Sequence, residues 1–439
     1  MTFTRKMSAR ERMRLWFPNI NVVVTAKIRG DLDHQKFSQS LEKISHIHPL
    51  TRVKAIVEES GEGYFTNKNV QEIPIFYKEF KSTEDIQQTV NKELRTSWDF
   101  QTGPLLRLTI LSSEDGHHLI FCGHHAICDG RSFVFLIRDL LSDYSERIHF
   151  SPGEKKTPVS MEERIPPGIK ESFLAKIFIS SMNNKWMKKN IQFSQKDYNR
   201  MHESFWKKRQ TGVIVETITK DDFSPFLNQC RLKECSVNSA IYVAFLLAQL
   251  QVQQELNERV LIPIDLRGYL SPPLENVFGY YASALVIKNV VDGKNGFWDS
   301  VRKFDKEVKR SKRMKNIFSF INTALFEPSL LDAAIFAQNG MINDKQALKL
   351  SDQIFNKLGT QLMVSNLGKI DIPKSYGELE LLDIVPPILI SGNTQKVIEL
   401  ATFNEHMNFS ITHDPNIVST KVIKDIFARV RNTIIVLSK

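Results

Sequence analysis

Two adjacent histidines at the end of an apolar run are the side chains best placed to do chemistry. The run His124-His125-Ala126-Ile127-Cys128-Asp129-Gly130 follows directly after the apolar segment 119–122. That segment predicts a buried strand, and the Asp-Gly pair predicts a turn that starts a helix. An imidazole held in such a loop, with a pKa near neutrality, can take a proton from a hydroxyl or an amine. This is the geometry of a general base, although an arbitrary histidine pair is more often part of the core.

Two cysteines flank the histidines and raise the question of zinc. Cys122 and Cys128 lie within seven residues of sequence that also hold His124 and His125. Paired CxxC clusters are missing, and adjacent histidines at a strand end point in different directions. We therefore expect no metal site. The sequence also lacks a Walker loop, a dinucleotide fingerprint, HExxH and GxSxG. These are the usual markers of phosphoryl transfer, hydride transfer, metalloproteases and serine esterases.

The elements that must position this loop alternate between strand and helix. Short β-branched or alternating runs predict strands, and apolar residues at helical spacing predict the helices between them. The first helix is expected to be capped by Asp31 or Asp33, and the second by Ser82 or Thr83. A third helix is expected beyond Gly130. Predicted strands cover 22–28, 73–77, 106–111 and 119–122, and the last two form a hairpin through the turn at 114–116.

A second α/β half follows a predicted linker. Between Ser145 and Lys170 the sequence has four prolines and many charges but no apolar periodicity. Further strands are predicted at 213–219, 260–264, 282–287, 361–364, 397–403 and 409–412, with an apolar helix at 237–250 and a last helix near the C-terminus. We predict an α/β protein, an α+β sandwich, with domains at residues 1–165 and 166–439.

Composition indicates a globular protein with a basic surface. The 439 residues are 42% hydrophobic and 25% charged, and no run of roughly 20 apolar residues is present to cross a bilayer. We expect a cytoplasmic protein without a membrane span and with reduced cysteines. The net charge of +10 lies largely in 185–209 and 302–315, which have eight basic and two acidic residues each. They are either solvated helix faces or a docking surface for an acidic partner, and no nucleic-acid motif accompanies them.

The histidine run matches HHxxxDG, and the sequence resembles the acyltransferase superfamily that carries this motif. That superfamily includes chloramphenicol acetyltransferases, nonribosomal peptide condensation domains, polyketide-associated acyltransferases and the BAHD enzymes. Four further segments agree in the same order: 99–107, the DLR segment 263–267, 276–281, and Ser365-Asn366-Leu367-Gly368. The pentapeptide DFGWG is missing and no Pro-Gly follows Asn366, which disfavours the plant and wax-ester branches. The condensation-domain, polyketide-associated and alcohol acyltransferase branches remain.

The resemblance implies two chloramphenicol-acetyltransferase-like lobes that form a V with a tunnel between them. It assigns the catalytic base to His125 and structural roles to His124, Asp129 and Gly130, and it pairs Asp129 with Arg267. Ser365 and Asn366 are candidates for binding the oxyanion or lining the tunnel. The donor would be a thioester of coenzyme A or of a phosphopantetheine carrier protein, with no permanently bound cofactor. The acceptor would be a small alcohol or amine. The resemblance also implies an enzyme of secondary metabolism, and we expect it to be a monomer.

Two alternative functions remain open for a protein with these residues. A free-standing, amide-forming condensation enzyme would use the same base and differ only in its acceptor. A non-catalytic member of the fold would instead serve as a docking platform for carrier proteins. The intact His125, Asp129 and Gly130 argue against the second alternative.

Overall fold

The first part of the chain builds most of one sheet and the helices that cover it. The computed structural model describes residues 2–148, 156–256, 258–356, 360–391 and 394–437. Its first strands are β1 (Thr4–Lys6), β2 (Asn21–Arg29), β3 (Lys54–Val57), β4 (Gly63–Thr66), β5 (Ile75–Glu79), β6 (Leu106–Ser113) and β7 (Gly116–His124). The accompanying helices are α1 (Ala9–Arg14), α2 (His34–Ile47), α3 (Thr83–Arg95) and α4 (Gly130–Tyr144).

The second part of the chain contributes longer helices and a second sheet. Its strands are β8 (Gly212–Thr219), β9 (Arg259–Asp265), β10 (Ala282–Lys288), β11 (Thr360–Lys369), β12 (Ser375–Tyr376), β13 (Leu379–Leu389), β14 (Thr394–Phe403) and β15 (His406–His413). Its helices are α5 (Phe173–Met187), α6 (Gln195–Lys207), α7 (Lys220–Leu232), α8 (Val237–Gln253), α9 (Phe297–Ser311), α10 (Met314–Ile317), α11 (Pro328–Gln338), α12 (Lys345–Ser351) and α13 (Thr420–Val436).

Local sequence signals set the helix starts. Asp33 caps α2 by accepting from the Lys36 amide, and Ser82 forms a reciprocal capping box with Asp85 at the start of α3. The predicted starts are therefore confirmed at Asp33 and Ser82. The predicted β6–β7 hairpin is confirmed as well, with antiparallel pairing from Leu106 opposite Gly123 to Ser113 opposite Gly116.

The first sheet has the order β12-β13-β2-β7-β6-β5. β13 comes from the half predicted as the second domain, yet it pairs antiparallel with β2 from Glu380 opposite Arg29 to Leu389 opposite Val22. The sequence analysis missed β13 because of its Pro386-Pro387 pair, since proline is usually excluded from strand interiors. The structure accommodates both prolines where the register shifts between Val385 and Ile388. The boundary at 165/166 stays a prediction, but the sheets are not divided at that point.

The second sheet has the order β10-β9-β11-β14-β15-β8. β11 runs parallel to both β9 and β14, and this register places Ser365 opposite Glu399. The buried apolar residues form two clusters, and strands of this second sheet contribute to both. The mixed α/β architecture predicted from the sequence is confirmed.

Side chains of β15 join the second sheet to the first. Asn408, Ser410 and Thr412 donate hydrogen bonds to the carbonyl oxygens of Ile384, Pro387 and Leu389 on β13. Because β13 belongs to the first sheet, these bonds link side chains of the second sheet to the backbone of the first. β13 is therefore the strand at which the two sheets meet.

The segment predicted as a linker connects the two parts. Its residues 149–155 lie outside the described residues, and the described remainder forms only a short 3₁₀ turn at Met161–Arg164. The segment is nevertheless anchored, because Met161 is buried and the Tyr281 hydroxyl donates to the Val159 carbonyl at 2.9 Å.

In the described part of the chain, no single helix is both long enough and apolar enough to cross a membrane. Two bent helix pairs, 220–253 and 319–338, meet that criterion of length and composition only when each pair is taken together.

Candidate active site

A tight loop between β7 and α4 holds both histidines of the motif. His124 is the last residue of β7 and lies opposite Asn21 of β2. The His125 amide donates to the Ile20 carbonyl at 3.0 Å, and the Ile127 amide donates to the His124 carbonyl at 2.9 Å. These backbone bonds tie the loop to the chain that enters β2. The position of His125 is therefore set by the sheet.

His124 points into the core of the first sheet. It is fully buried, its Nδ1 accepts a hydrogen bond from the Ala126 amide at 3.1 Å, and the ring of Phe100 packs edge-on against it. Burial lowers the pKa of His124 to about 3, so this imidazole is neutral at pH 7. These contacts fit a structural role for His124.

His125 lies instead on the wall of a cavity of about 1100 Å³. Its Nδ1 lies 2.7 Å from the carbonyl oxygen of Cys128. A carbonyl oxygen can only accept, so Nδ1 must carry the proton and Nε2 of the neutral ring keeps its lone pair. Burial, followed by the charge of Arg14, lowers the pKa of His125 to about 4. The pKa thus lies below the near-neutral value expected from the sequence, and the ring is neutral at pH 7 with Nε2 available as a base.

Asp129 closes the loop and starts α4. One carboxylate oxygen accepts the amide of Ser132 at 3.0 Å, and the other accepts the amide of Tyr281 at 3.0 Å. Arg267 binds both oxygens with its fork, at 2.9 and 3.1 Å. Burial would raise the pKa of Asp129, but Arg267 and the two amides outweigh it and hold that pKa below its usual value. The structure therefore contains the ion pair that was predicted between Asp129 and Arg267.

Arg267 carries the connection onward into the second half of the chain. Its guanidinium also donates to the carbonyl oxygens of Val277 and Gly279 and to a carboxylate oxygen of Asp265. The DLR segment and the 276–281 segment are thus joined around one side chain. The sequence pointed to both segments, and the structure brings them to the HHxxxDG loop.

Gly130 allows the start of α4 to approach the strands of both sheets. A Cβ atom at Gly130 would lie 2.5 Å from Pro387 of β13 and 3.3 Å from Leu367 of β11. Contacts that short would force the backbone apart. The glycine of the motif is therefore required here by close packing.

Ser365 and Asn366 reach the same cavity from β11. The Asn366 side-chain oxygen accepts the Gly368 amide at 2.7 Å, which leaves its NH₂ group as a donor. Ser365 interacts with Glu399 on the neighbouring strand, where burial raises the pKa of this carboxyl to about 8. The sequence analysis missed Glu399, although a single acid within the apolar run 397–401 was a signal that could have found it.

The cavity also contains groups that the sequence analysis did not select. Arg10 and Arg14 of α1 line it near His125, together with Tyr280, whose ring stands edge-on to the imidazole at 5.1 Å. Arg209, at the end of one basic stretch, lines it as well. Among the described residues no group of three His, Cys, Asp or Glu side chains is placed to hold a metal ion.

Comparisons with known proteins agree with this architecture. Residues 18–157 match the family model of the condensation domain. Polyketide synthase associated protein 5 from Mycobacterium tuberculosis superimposes with a TM-score of 0.63 and 17% identity over 99% of this chain and 98% of that one. The first condensation domain of the CDA synthetase gives 0.64 and 11% identity over 99% and 96% of the two chains. The chain therefore shares the fold of condensation domains and of that polyketide-associated protein. The resemblance drawn from the HHxxxDG motif and the two-lobed fold class are thereby confirmed, whereas the V shape and the tunnel stay predictions.

Curated relatives align at low identity to small parts of much larger proteins. Cyclosporin synthetase of Tolypocladium inflatum is 21% identical over 73% of this chain, and tyrocidine synthase 3 of Brevibacillus parabrevis is 20% identical over 66%. These alignments cover only 2% and 4% of the two relatives' own lengths. Another neighbour in structure, a trichothecene 15-O-acetyltransferase from Fusarium sporotrichioides, has a TM-score of 0.63 and 11% identity over 98% of this chain and 95% of its own.

The Asp129–Arg267 pair leads to a testable expectation for stability. Asp129→Asn and Arg267→Met should each lower the free energy of unfolding by about 3–5 kcal/mol, because each leaves a buried group without its partner. The double variant should lose clearly less than the sum of the two. Urea unfolding followed by circular dichroism measures all three values.

The exposed pair Arg29–Glu380 between β2 and β13 is the matched control. Its single variants should cost no more than about 1 kcal/mol, because solvent screens an exposed pair. Additive losses at Asp129 and Arg267, within about 0.5 kcal/mol, would show that the two side chains do not act as a unit.

Proposed function

We propose that the protein transfers an acyl group from a thioester, on coenzyme A or a phosphopantetheine carrier protein, to a hydroxyl or amine. The observation that carries this proposal is His125: a neutral imidazole with Nδ1 tied to a carbonyl oxygen, on the wall of a cavity lined by both sheets. The condensation domain match over 18–157 supports acyl transfer or condensation in general. The acetyltransferase with the same fold supports it too.

The mechanism assigns both proton transfers to His125. Nε2 takes the proton of the acceptor as its oxygen or nitrogen attacks the thioester carbonyl. The tetrahedral intermediate collapses, the carbon–sulfur bond breaks, and the protonated His125 returns the proton to the departing sulfur. No covalent enzyme intermediate is needed. Holding both substrates in one cavity makes the attack nearly unimolecular and supplies much of the acceleration.

The bond from His125 to Cys128 prepares the ring for this role. Because the Cys128 carbonyl fixes the Nδ1 proton, the ring does not need to change tautomer before each cycle. The imidazolium that forms is also stabilised by the negative charge of Asp129, which acts to raise the pKa of His125. Asp129 is itself held by Arg267, so the ion pair positions the loop that carries the base.

The oxyanion needs donors, and we assign them to β11. Asn366 has its NH₂ group left over after its oxygen binds Gly368, and Ser365 lies beside it on the same strand. Donors placed where charge develops are worth most in a site that excludes water.

The two lobes, residues 1–165 and 166–439, would then supply the two halves of the reaction centre. In this proposal the first lobe carries His125 and the second carries Arg267 and the β11 donors. β12 and β13 come from the second part of the chain but belong to the first sheet, and so they connect the two lobes.

An amide-forming reaction of nonribosomal peptide type remains the alternative for the acceptor. The family match over 18–157 favours it, because that family is the condensation domain. A purely docking role is less well supported, since the loop from His124 to Gly130 keeps a base, its carbonyl partner and its ion pair.

The first test of this function is His125→Ala. We expect turnover to fall at least about 10²-fold, the scale for losing a positioned general base. Free-thiol release from a panel of acyl-CoA and acyl-phosphopantetheine donors, with alcohols and amines as acceptors, measures it.

His118→Ala is the matched control, because His118 lies on β7, the strand that leads to His125, but is not part of the cavity lining. That variant should retain activity. A substrate pair that His125→Ala turned over as fast as the wild type would refute the mechanism.

A second test concerns donor binding by the basic stretch 185–209. Arg209 lines the cavity and has Asp414 at 3.9 Å, while Lys207 is paired with Glu203 on the surface. Changing Lys207, Lys208 and Arg209 to Glu should raise the donor KM, more at low salt than at high salt, because both donors carry negative charge and salt screens exposed charges.

The control is the same reversal at Arg302, Lys303 and Lys306 on α9, in the other basic stretch. It should leave the donor KM unchanged. Equal donor KM for wild type and the Lys207, Lys208 and Arg209 variant across salt concentrations would assign the first stretch to solubility alone.

A further inference from the structure

The arginines near the start of the chain divide into two classes. Arg5 binds Glu11 at 2.7 Å, and Arg12 binds Asp332 at 2.6 Å in the interior. Arg10 and Arg14, four residues apart and so on one face of α1, line the cavity instead. Neither of these two forms an ion pair with any acidic residue that the structure describes. The arginines that face the protein are paired, and those that face the cavity are not.

The two unpaired guanidiniums gather around Tyr280, next to His125. Arg10 donates to the Tyr280 hydroxyl at 3.0 Å, and its Nε is buried without a hydrogen-bond partner. The Arg14 guanidinium lies 4.1 Å from the centre of the Tyr280 ring, and the His125 ring stands 5.1 Å from the same ring. Burial lowers the pKa of Arg14 to about 10, which still leaves it charged at pH 7.

The acidic side chains of the cavity do not neutralise Arg10 and Arg14, because they are paired with other arginines or protonated. Asp265 binds Arg131 at 3.1 Å and Arg267 at 3.0 Å. Burial raises the pKa of Glu399 to about 8, so this carboxyl is mostly protonated at pH 7. Two positive charges therefore remain beside the base without a counter-charge from the described protein. A partly buried, unpaired cation is costly, and an anionic ligand would offset that cost.

We propose that the acceptor carries a carboxylate, bound by Arg10 and Arg14, close to the hydroxyl or amine that His125 deprotonates. Guanidinium groups bind carboxylates through paired hydrogen bonds, and both arginines line the cavity without an acidic partner among the described residues. The acceptor is thus a hydroxy acid or an amino acid with a free carboxylate. This inference rests on the acyl-transfer function proposed above.

The position of the two arginines argues against the phosphates of the donor. In a thioester of coenzyme A or of a carrier protein, the whole pantetheine arm separates the phosphates from the reacting sulfur. Arg10 and Arg14 instead share one tyrosine ring with the base that acts at the reacting centre. An anion bound there belongs to the part of a substrate nearest to the new bond.

The kinetic test compares acceptors that differ only in charge. A series of hydroxy acids and amino acids is assayed beside their primary carboxamides, with wild type, Arg10→Met, Arg14→Met and Arg29→Met. For the wild type, the acid should have the lower KM. Each cavity variant should raise the KM for the acid about 10-fold to 100-fold, and should change the KM for the carboxamide much less. Arg29→Met, a surface variant on β2, should change neither.

A binding test keeps the inference separate from the catalytic proposal. The thermal midpoint of the full-length chain is measured with the same acids, with their carboxamides and with inorganic phosphate, without any donor. Stabilisation by an acid that is lost in Arg10→Met and Arg14→Met supports the carboxylate site even if no acceptor is turned over. Stabilisation by phosphate alone, or acids and carboxamides that act equally in all variants, would overturn it while leaving acyl transfer by His125 standing.

Discussion

The buried ion pair between Asp129 and Arg267 connects the loop that holds His125 with the second half of the chain. Asp129 begins α4 and accepts the Tyr281 amide, while Arg267 gathers the carbonyl oxygens of Val277 and Gly279. Without Arg267 the carboxylate would be an uncompensated charge in the interior, and the segment 276–281 would lose its common donor. Because Tyr280 belongs to that segment, the same pair sets the wall of the cavity opposite His125.

Two opposing groups of contacts set the pKa of the His125 imidazole. Burial and the charges of Arg14 and Arg10 lower the pKa of His125, whereas the Cys128 carbonyl and Asp129 act to raise it. The outcome is a neutral ring at physiological pH, as a general base requires, but a weak one. An anion that neutralised the two arginines would remove part of the lowering and make His125 a stronger base once the acceptor is bound.

The parts of the fold that the sequence predicted are those with local signals. The caps at Asp33 and Ser82, the β6–β7 hairpin and the His124–Gly130 loop each follow from a few neighbouring residues. β13 escaped prediction because its two prolines contradict a strand locally and are tolerated only at a bulge that pairing with β2 creates. Strand pairing across most of the chain is a property of the fold, which no local pattern records.

The site likewise contains residues that the sequence indicated and residues that it did not. The motif and the DLR segment indicated His125, Asp129 and Arg267, because their spacing resembles a known pattern. The sequence analysis did not select Arg10 and Arg14, since nothing in the sequence shows which arginines of a short helix find acidic partners. That distinction depends on Asp332, more than 300 residues away, which pairs with Arg12.

The protonation state of His125 is the point on which the account depends most directly. Nitrogen-15 NMR of histidine-labelled protein, with the His125 signals identified by their loss in His125→Ala, reports which ring nitrogen carries the proton at each pH. We expect the proton on Nδ1 and a bare Nε2 from about pH 8 down to about pH 5, because the pKa of His125 is lowered to about 4. A proton on Nε2 at pH 7, or a pKa at or above the ordinary value of about 6.5, would contradict it.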